Sequence, residues 1–282
     1  MIVEFYTDFE KFKSDTREVL LEHEAQNNLF LGNLLYGQYN ENWLLITVKE
    51  DGGSVLLSCL LTPPFNLLVY ETGNRDSGSA LEWLIDAIVE RNYNIPGILC
   101  KDKLAERFAA YYCKKANVSA HKELDMNLMI LDKAPRASAT PGRLRILSAE
   151  DLFFVPYWEL QFNTECGLPR QELEDMIRKA KRDIDAEKHY IWEDRVPVSQ
   201  AVNGRNTVNG GGVNGGYTPP VYRGRGDSTA CVGAVCRKMF GQGKQFCCLF
   251  ADKEKPVSNK VYKNIGFQTQ CVFSEIKFCR ED

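Results

Sequence analysis

The sequence is short of histidine, of paired cysteines, of any dominant charge sign and of long apolar runs. Its histidines are His23, His121 and His189, none near another, which leaves little for metal chemistry, and no metal is expected. Ten cysteines run from Cys59 to Cys279 without a C-x-x-C pair, and Cys231, Cys236 and Cys247 stand among apolar neighbours. Small core residues are therefore expected, rather than zinc ligands or disulfides. Lys+Arg 35 against Asp+Glu 38 argues against a chain built to coat nucleic acid, and no nucleic-acid partner is expected. No apolar stretch approaches a membrane span, and "MIVEFYTDFEKF" carries acidic residues where a signal peptide carries positive charge. A cytoplasmic protein without membrane association is the expectation.

What the chain does hold is an ordinary globular composition, 44% hydrophobic and 26% charged, over 282 residues, enough for two domains with cores of their own. Apolar patterning fades at "DKAPRASATPGR", Asp132 to Arg143, which divides the chain into residues 1–132, a linker at 133–142, and residues 143–282. Upstream, "SALEWLIDAIVE" sets Leu81, Leu84, Ile85, Ile88 and Val89 on one helical face. A buried strand "GILC", a helix "KLAERFAAYYCKK" and a strand "LDMNLMIL" follow. Downstream the order returns: a helix from Gly226, a strand "QFCCLFAD", a helix "PVSNKVYKNIG" and a strand "CVFSEIKF". The same 20-residue offset separates Gly78 from Ile98 and Gly226 from Phe246, so internal duplication is a working hypothesis. Only the second half has a Gly-rich loop; the first has "ETGNRDSGSA" there.

Between linker and loop, "RLRILS" reads as a strand and "AEDLFFVPYWELQF" as one helix with an acidic first turn. "PRQELEDMIRKAKRDIDAEK" reads as a helix with a solvated charged face, and "HYIWED" with "VPVSQAV" as a strand pair. "NGGGVNGG" is either a loop or a strand that something approaches closely, since glycine orders at high entropic cost and packs nothing.

The loop "VYRGRGDST" fits neither of two familiar phosphate motifs. It lacks the G-K-[ST] ending of a P-loop, and Thr229 stands at the third glycine position of the dinucleotide fingerprint. A third reading makes Arg223 to Ser228 (Arg223, Gly224, Arg225, Gly226, Asp227, Ser228) a nest of backbone amides at a helix N-terminus, where the dipole favours a pyrophosphate. Arg223 and Arg225 would add charge and Ser228 a hydroxyl. The competing reading is a helix-capping turn with its arginines in water.

Taken with the strand before the loop, the helix and strand after it, and "SNKVYKNIGF", residues 143–282 resemble the GNAT superfamily of N-acetyltransferases. The first half looks like a degenerate domain of the same kind without the cofactor loop. The resemblance implies an α/β fold of the α+β type, a mixed central sheet flanked by helices, in tandem domains. It implies acetyl-CoA as co-substrate on a Q/R-x-x-G-x-G/A loop, here Val221 to Gly226, and a tyrosine before a Gly-Phe pair that protonates the leaving thiolate, here Tyr262 before Gly266 and Phe267. Tyr217 and Thr218 would bind the pantetheine arm through backbone groups, with Asn259 as a further cofactor contact. Two departures stand out: Val221 replaces the usual Gln or Arg, and Lys255 stands where many members carry an asparagine. The expected activity is transfer of acetyl to the amine of a small-molecule or peptide acceptor. The general base is left between Glu159, Glu165 and a water, both carboxylates being expected at the surface. The alternatives are a non-catalytic CoA-sensing or protein-interaction module, and transfer from a longer or amino-acyl donor. Dimer contacts through the first half stay open.

Overall fold

A computed structural model describes residues 1–73 and 77–280. Asn74–Asp76, part of the "ETGNRDSGSA" stretch, lie outside the described residues. In chain order the elements are β1 (Ile2–Tyr6), α1 (Phe9–Leu21), α2 (Asn28–Tyr36), β2 (Leu44–Lys49), β3 (Val55–Leu61), β4 (Leu67–Glu71), α3 (Ser77–Glu90), β5 (Gly97–Lys101), α4 (Asp102–Ala116) and β6 (Ser119–Leu131). There follow β7 (Arg143–Ile146), α5 (Val155–Glu165), α6 (Leu173–Asp185), β8 (His189–Asp194), β9 (Val196–Asn206), β10 (Gly210–Tyr217), α7 (Asp227–Gly241), β11 (Phe246–Asp252), α8 (Pro256–Ile265) and β12 (Gln268–Cys279). The second series repeats the first element for element. Each runs strand, two helices, three strands, helix, strand, helix, strand.

The chain divides into two compact units that do not follow chain order. Unit 1 takes Met1–Leu128, Ala251–Glu254 and Thr269–Asp282; unit 2 takes Met129–Phe250 and Lys255–Gln268. The residues expected as a free linker belong to unit 2. There the Arg136 carbonyl accepts from Arg237 at 3.0 Å, and the Pro141 carbonyl accepts from the Trp192 indole at 3.0 Å.

In unit 1 the strands lie in the order β1-β2-β3-β4-β5-β12-β6. The meander β1 to β4 is antiparallel, β4 runs parallel to β5, and β12 enters antiparallel to β5 from Phe273↔Lys101 to Lys277↔Gly97. Every residue of β3 is buried, because both faces of the sheet are covered. Ile46, Leu57, Leu84, Ile98 and Phe108 pack on one face with α3 and α4, and Phe12, Leu20, Leu31, Leu45 and Leu60 on the other with α1 and α2. Burial of each such side chain contributes roughly 1.5–3 kcal/mol. Asn66 holds β12 in place, donating to Glu275 at 2.7 Å and accepting from Lys277 at 2.8 Å.

In unit 2 the order is β11-β10-β9-β8-β7. The single helix expected over Ala149–Phe162 is two elements. A capping box between Ser148 and Asp151 closes a short 3₁₀ turn at Ala149–Phe153, and Pro156, which has no N–H to donate, falls in the first turn of α5. "HYIWED" and "VPVSQAV" form the β8–β9 hairpin as expected. All ten cysteines are free; Cys59, Cys100, Cys231, Cys236, Cys247 and Cys248 are buried, and Cys166 and Cys279 are exposed. No helix of the described residues is long and apolar enough to cross a membrane.

Candidate functional site

The glycine-rich stretch is a strand, and its glycines do two different things. A side chain at Gly210 would run into the Phe246 ring, and one at Gly211 into Met239, so these two let α7 and β11 pack closely. Further along, β10 is irregular against β9, with register shifts between Gly212 and Val213 and between Asn214 and Tyr217. Gly215 sits inside the second shift at φ +59°, a conformation that disfavours side chains. Against β11, β10 is paired in parallel only from Gly210↔Phe246 to Gly212↔Cys248. A Cβ on Gly216 would lie 3.7 Å from the Tyr262 hydroxyl and 3.8 Å from Val232.

The chain leaves β10 through Thr218, a 3₁₀ turn at Pro220–Tyr222, and two residues of positive φ, Gly224 at +80° and Gly226 at +90°. Gly226 is the N-cap of α7 and has no side chain to cap it. The Ala230 amide donates to the Gly226 carbonyl at 3.0 Å, so those of Asp227, Ser228 and Thr229 precede the helical ladder. Donors aligned on a positive dipole end make this an anion site in kind.

Both loop arginines make contacts of their own around the loop. Arg223 donates to the Thr218 carbonyl at 2.8 Å and to both oxygens of Glu165 at 2.7 and 2.8 Å, and lies over the Tyr217 ring. It is a strut across the loop. Arg225 donates to the Val221 carbonyl at 3.2 Å and lies over Tyr222. Asp227 is buried, 4% exposed as a whole residue. Burial pushes its carboxyl up; Arg225 opposes this and Asp194 adds to it. Ser228 is half-buried in the first turn. The carbonyls of Tyr217 and Thr218 are taken, by the Ser199 hydroxyl at 3.1 Å and by Arg223.

Helix α8 brings the Tyr262 hydroxyl to the C-terminal end of β10, beside Gly216. Gly266, at φ +116°, ends the helix, and Phe267 folds back against the Tyr262 ring at 6.1 Å, which is the structural content of the Tyr and Gly-Phe spacing. Burial pushes the Tyr262 phenol up to about 12, with Cys166 adding to the shift. Asn259 is buried one turn earlier and donates to the Lys255 carbonyl at 2.8 Å.

The two candidate bases part company. Glu165 is half-exposed and held by Arg223. Glu159, expected at the surface, is 3% exposed and stands 3.7 Å from the Cβ position of Gly215. Its Oε1 accepts from the Gln200 amide at 3.0 Å, and its Oε2 pairs with Lys179 at 3.0 Å. Lys179 also pairs with Asp183 at 3.1 Å. Burial pulls the Lys179 ammonium down, but Glu159 and Asp183 outweigh it and the net shift is upward. Burial likewise opposes ionisation of Asp183, yet His189, Lys179 and Lys188 hold its carboxyl well below the usual range. Sequence reading missed Gln200 and Lys179. The i,i+4 spacing of Lys179 and Asp183 was visible but reads as a solvated helix face, and nothing local marks Gln200.

No protein-family model matches the chain, and no curated protein does. Solved structures do. A Drosophila protein aligns with TM-score 0.68 at 13% identity, over 100% of this chain and 99% of its own. A GCN5-related N-acetyltransferase from Sphaerobacter thermophilus aligns with TM-score 0.67 at 14% identity, over 99% and 96%. A tandem GNAT protein from the clavulanic acid biosynthesis pathway aligns with TM-score 0.59 at 14% identity, over 99% and 98%. Likeness at this identity establishes architecture, and the chain has the fold of the GNAT superfamily acetyltransferases, matched over nearly its whole length by a tandem member.

Proposed function

We propose that unit 2 binds acetyl-CoA and transfers its acetyl group to the amine of an acceptor. One observation carries the reading: the Tyr262 hydroxyl faces Gly216 on a bulged strand whose end leads directly into the uncapped N-terminus of α7. A pyrophosphate fits the amides from Gly224 to Ser228, with the Ser228 hydroxyl beside them. Arg225 and Arg223 add positive charge, Arg223 chiefly by holding the loop. Backbone amides near Tyr217 and Thr218 supply donors to the pantetheine arm and the thioester carbonyl. Asn259 supports the turn that carries Tyr262.

In the reaction the amine nitrogen attacks the acetyl carbon, the C–N bond forms and the C–S bond breaks. Tyr262 gives its proton to the departing thiolate. A phenol with its pKa raised toward 12 is fully protonated at neutral pH, as that role requires. The proton lost by the amine goes to a carboxylate or water on the α5 side.

The reading is tested by the melting temperature with and without excess acetyl-CoA, for the wild type and for Gly226→Asp. At 100 times the dissociation constant, binding adds about 2.7 kcal/mol of stability. The variant loses that shift, because a side chain at this positive-φ glycine meets Thr140 and distorts the turn, and its carboxylate repels the pyrophosphate. No shift in a folded wild type would move the protein-interaction module ahead. Release of free thiol with an amine panel then separates turnover from binding, and a donor panel separates acetyl from longer acyl groups.

A further inference from the structure

Unit 1 holds a cavity of its own. β4 and β5 run parallel over two rungs only, Leu67↔Ile98 and Leu68↔Leu99. The residues that follow, Glu71 and Thr72 from one strand and Lys101 and Leu104 from the other side, line a cavity of about 100 Å³. His23 and Gln26, from the segment between α1 and α2, complete its wall. Three of these side chains have polar atoms left unfilled. Gln26 is 9% exposed, yet its side-chain amide makes no hydrogen bond among the described residues, which is costly for a buried group. The Lys101 ammonium has no ion pair or hydrogen bond among them either. Glu71 Oε1 accepts from Arg107 at 3.2 Å, and its Oε2 has no partner among them. Glu71 and Lys101 thus bring opposite charges to one cavity without pairing with each other.

We propose that this cavity binds a small α-amino acid as its zwitterion. The ammonium of the ligand donates to Glu71 Oε2 and Gln26 Oε1, and its carboxylate accepts from Lys101 and from Gln26 Nε2. A molecule carrying both charges satisfies all three side chains at once. A simple anion sets a carboxylate against Glu71, and a simple amine sets an ammonium against Lys101. Volume limits the size. A closed cavity of about 150 Å³ takes benzene, so one of about 100 Å³ with an exposed His23 at its rim takes roughly five or six non-hydrogen atoms. Glycine and alanine meet that limit, and Leu104, 4% exposed, offers an apolar wall to the alanine methyl. The proposal does not depend on the acetyl-transfer reading.

Isothermal titration calorimetry of the full chain with glycine, alanine, acetate, methylamine and N,N,N-trimethylglycine tests it. Glycine and alanine are expected to bind saturably, and acetate and methylamine about tenfold more weakly or worse. Trimethylglycine, which has both charges but no N–H, is expected not to bind. Lys101→Met and Gln26→Met, made separately and checked for folding by circular dichroism, each weaken glycine by about tenfold or more and leave any acetyl-CoA shift as in the wild type. Glu71→Gln brings the glycine-to-acetate ratio toward unity. No binding of glycine or alanine to the folded protein would overturn the proposal. So would acetate binding as tightly as glycine, which would make this a plain anion site. Glycine binding left intact by both Lys101→Met and Gln26→Met would also overturn it, by moving the amino acid out of this cavity.

Discussion

Two strands that occupy the same place in the repeated series have opposite contents. Aligned on the parallel strand that follows each (Leu67↔Ile98 and Gly210↔Phe246), Leu67, Leu68 and Val69 of β4 stand where Gly210, Gly211 and Gly212 stand in β10. β4 fills its two faces with side chains and continues into residues 72–76 before α3. β10 carries glycine and two register shifts, and continues into residues 218–226, with two positive-φ glycines, before α7. Once a strand can fill its faces with leucine, leucine stabilises it. In β10 the first two glycines instead make room for Phe246 and Met239, and Gly215 at positive φ sits in the second register shift.

The largest test of the comparison concerns what completes each unit. Deleting residues 269–280 removes the strand between β5 and β6, with Phe273 and Ile276 from the unit 1 core, and cooperative thermal unfolding is expected to be lost by circular dichroism. Expressing residues 143–282 alone is expected to yield insoluble protein for the same reason.

Next come the ion networks. In unit 1, Asp15 accepts from Lys11, Lys49 and Tyr6 at 2.8 Å each, but stays 25% exposed. In unit 2, the Asp183 side chain is 4% exposed. Asp183→Asn is expected to cost about 3–5 kcal/mol, since it leaves Lys179 and Lys188 beside a neutral group, whereas Asp15→Asn costs no more than about 2 kcal/mol. The folded carboxyl of Asp183 is depressed, so its contribution is complete above the ordinary aspartate range and is lost as pH falls through and below it. The stability gap between wild type and Asp183→Asn, from urea titrations, should be constant between pH 5 and 8 and shrink below about pH 4.

The third test is chemical. Tyr262→Phe removes the proposed proton donor and is expected to lower kcat by about 100-fold while acetyl-CoA affinity holds within about twofold. The smallest change is Gly216→Val, which gives β10 a side chain of the kind β4 carries. The added methyls meet the Tyr262 hydroxyl and Val232, and acetyl-CoA affinity, read by calorimetry, is expected to fall about tenfold with little change in melting temperature.

Where a signal was local, it was legible. Helical periodicity marked α3 and α4, proline and glycine marked the stretch without helix or strand between β6 and β7, and Gly224 and Gly226 marked a turn that only glycine adopts easily. The pairing of Tyr262 with Gly266 and Phe267 was legible because one helix end contains all three. Glu159 was misplaced at the surface because its partners, Gln200 and Lys179, come from a strand and another helix. The pairing of Arg223 with Glu165 was not legible, because the two lie far apart in sequence. The elements before Ser77 passed unread: the meander from β2 to β4 is buried on both faces and so lacks the alternation that reveals a half-exposed strand.

By itself the sequence determined most of the order of elements from α3 onward, the repeat within it and the glycine turn at the mouth of α7, since each depends on φ preferences and hydrophobic spacing within a few residues. Tertiary structure alone decided which strand completes which unit, which glycines make room for neighbouring side chains and which lie in the bulge, and which charges are sealed together. Those outcomes depend on burial and on partners distant in the chain, and no short window of residues contains them.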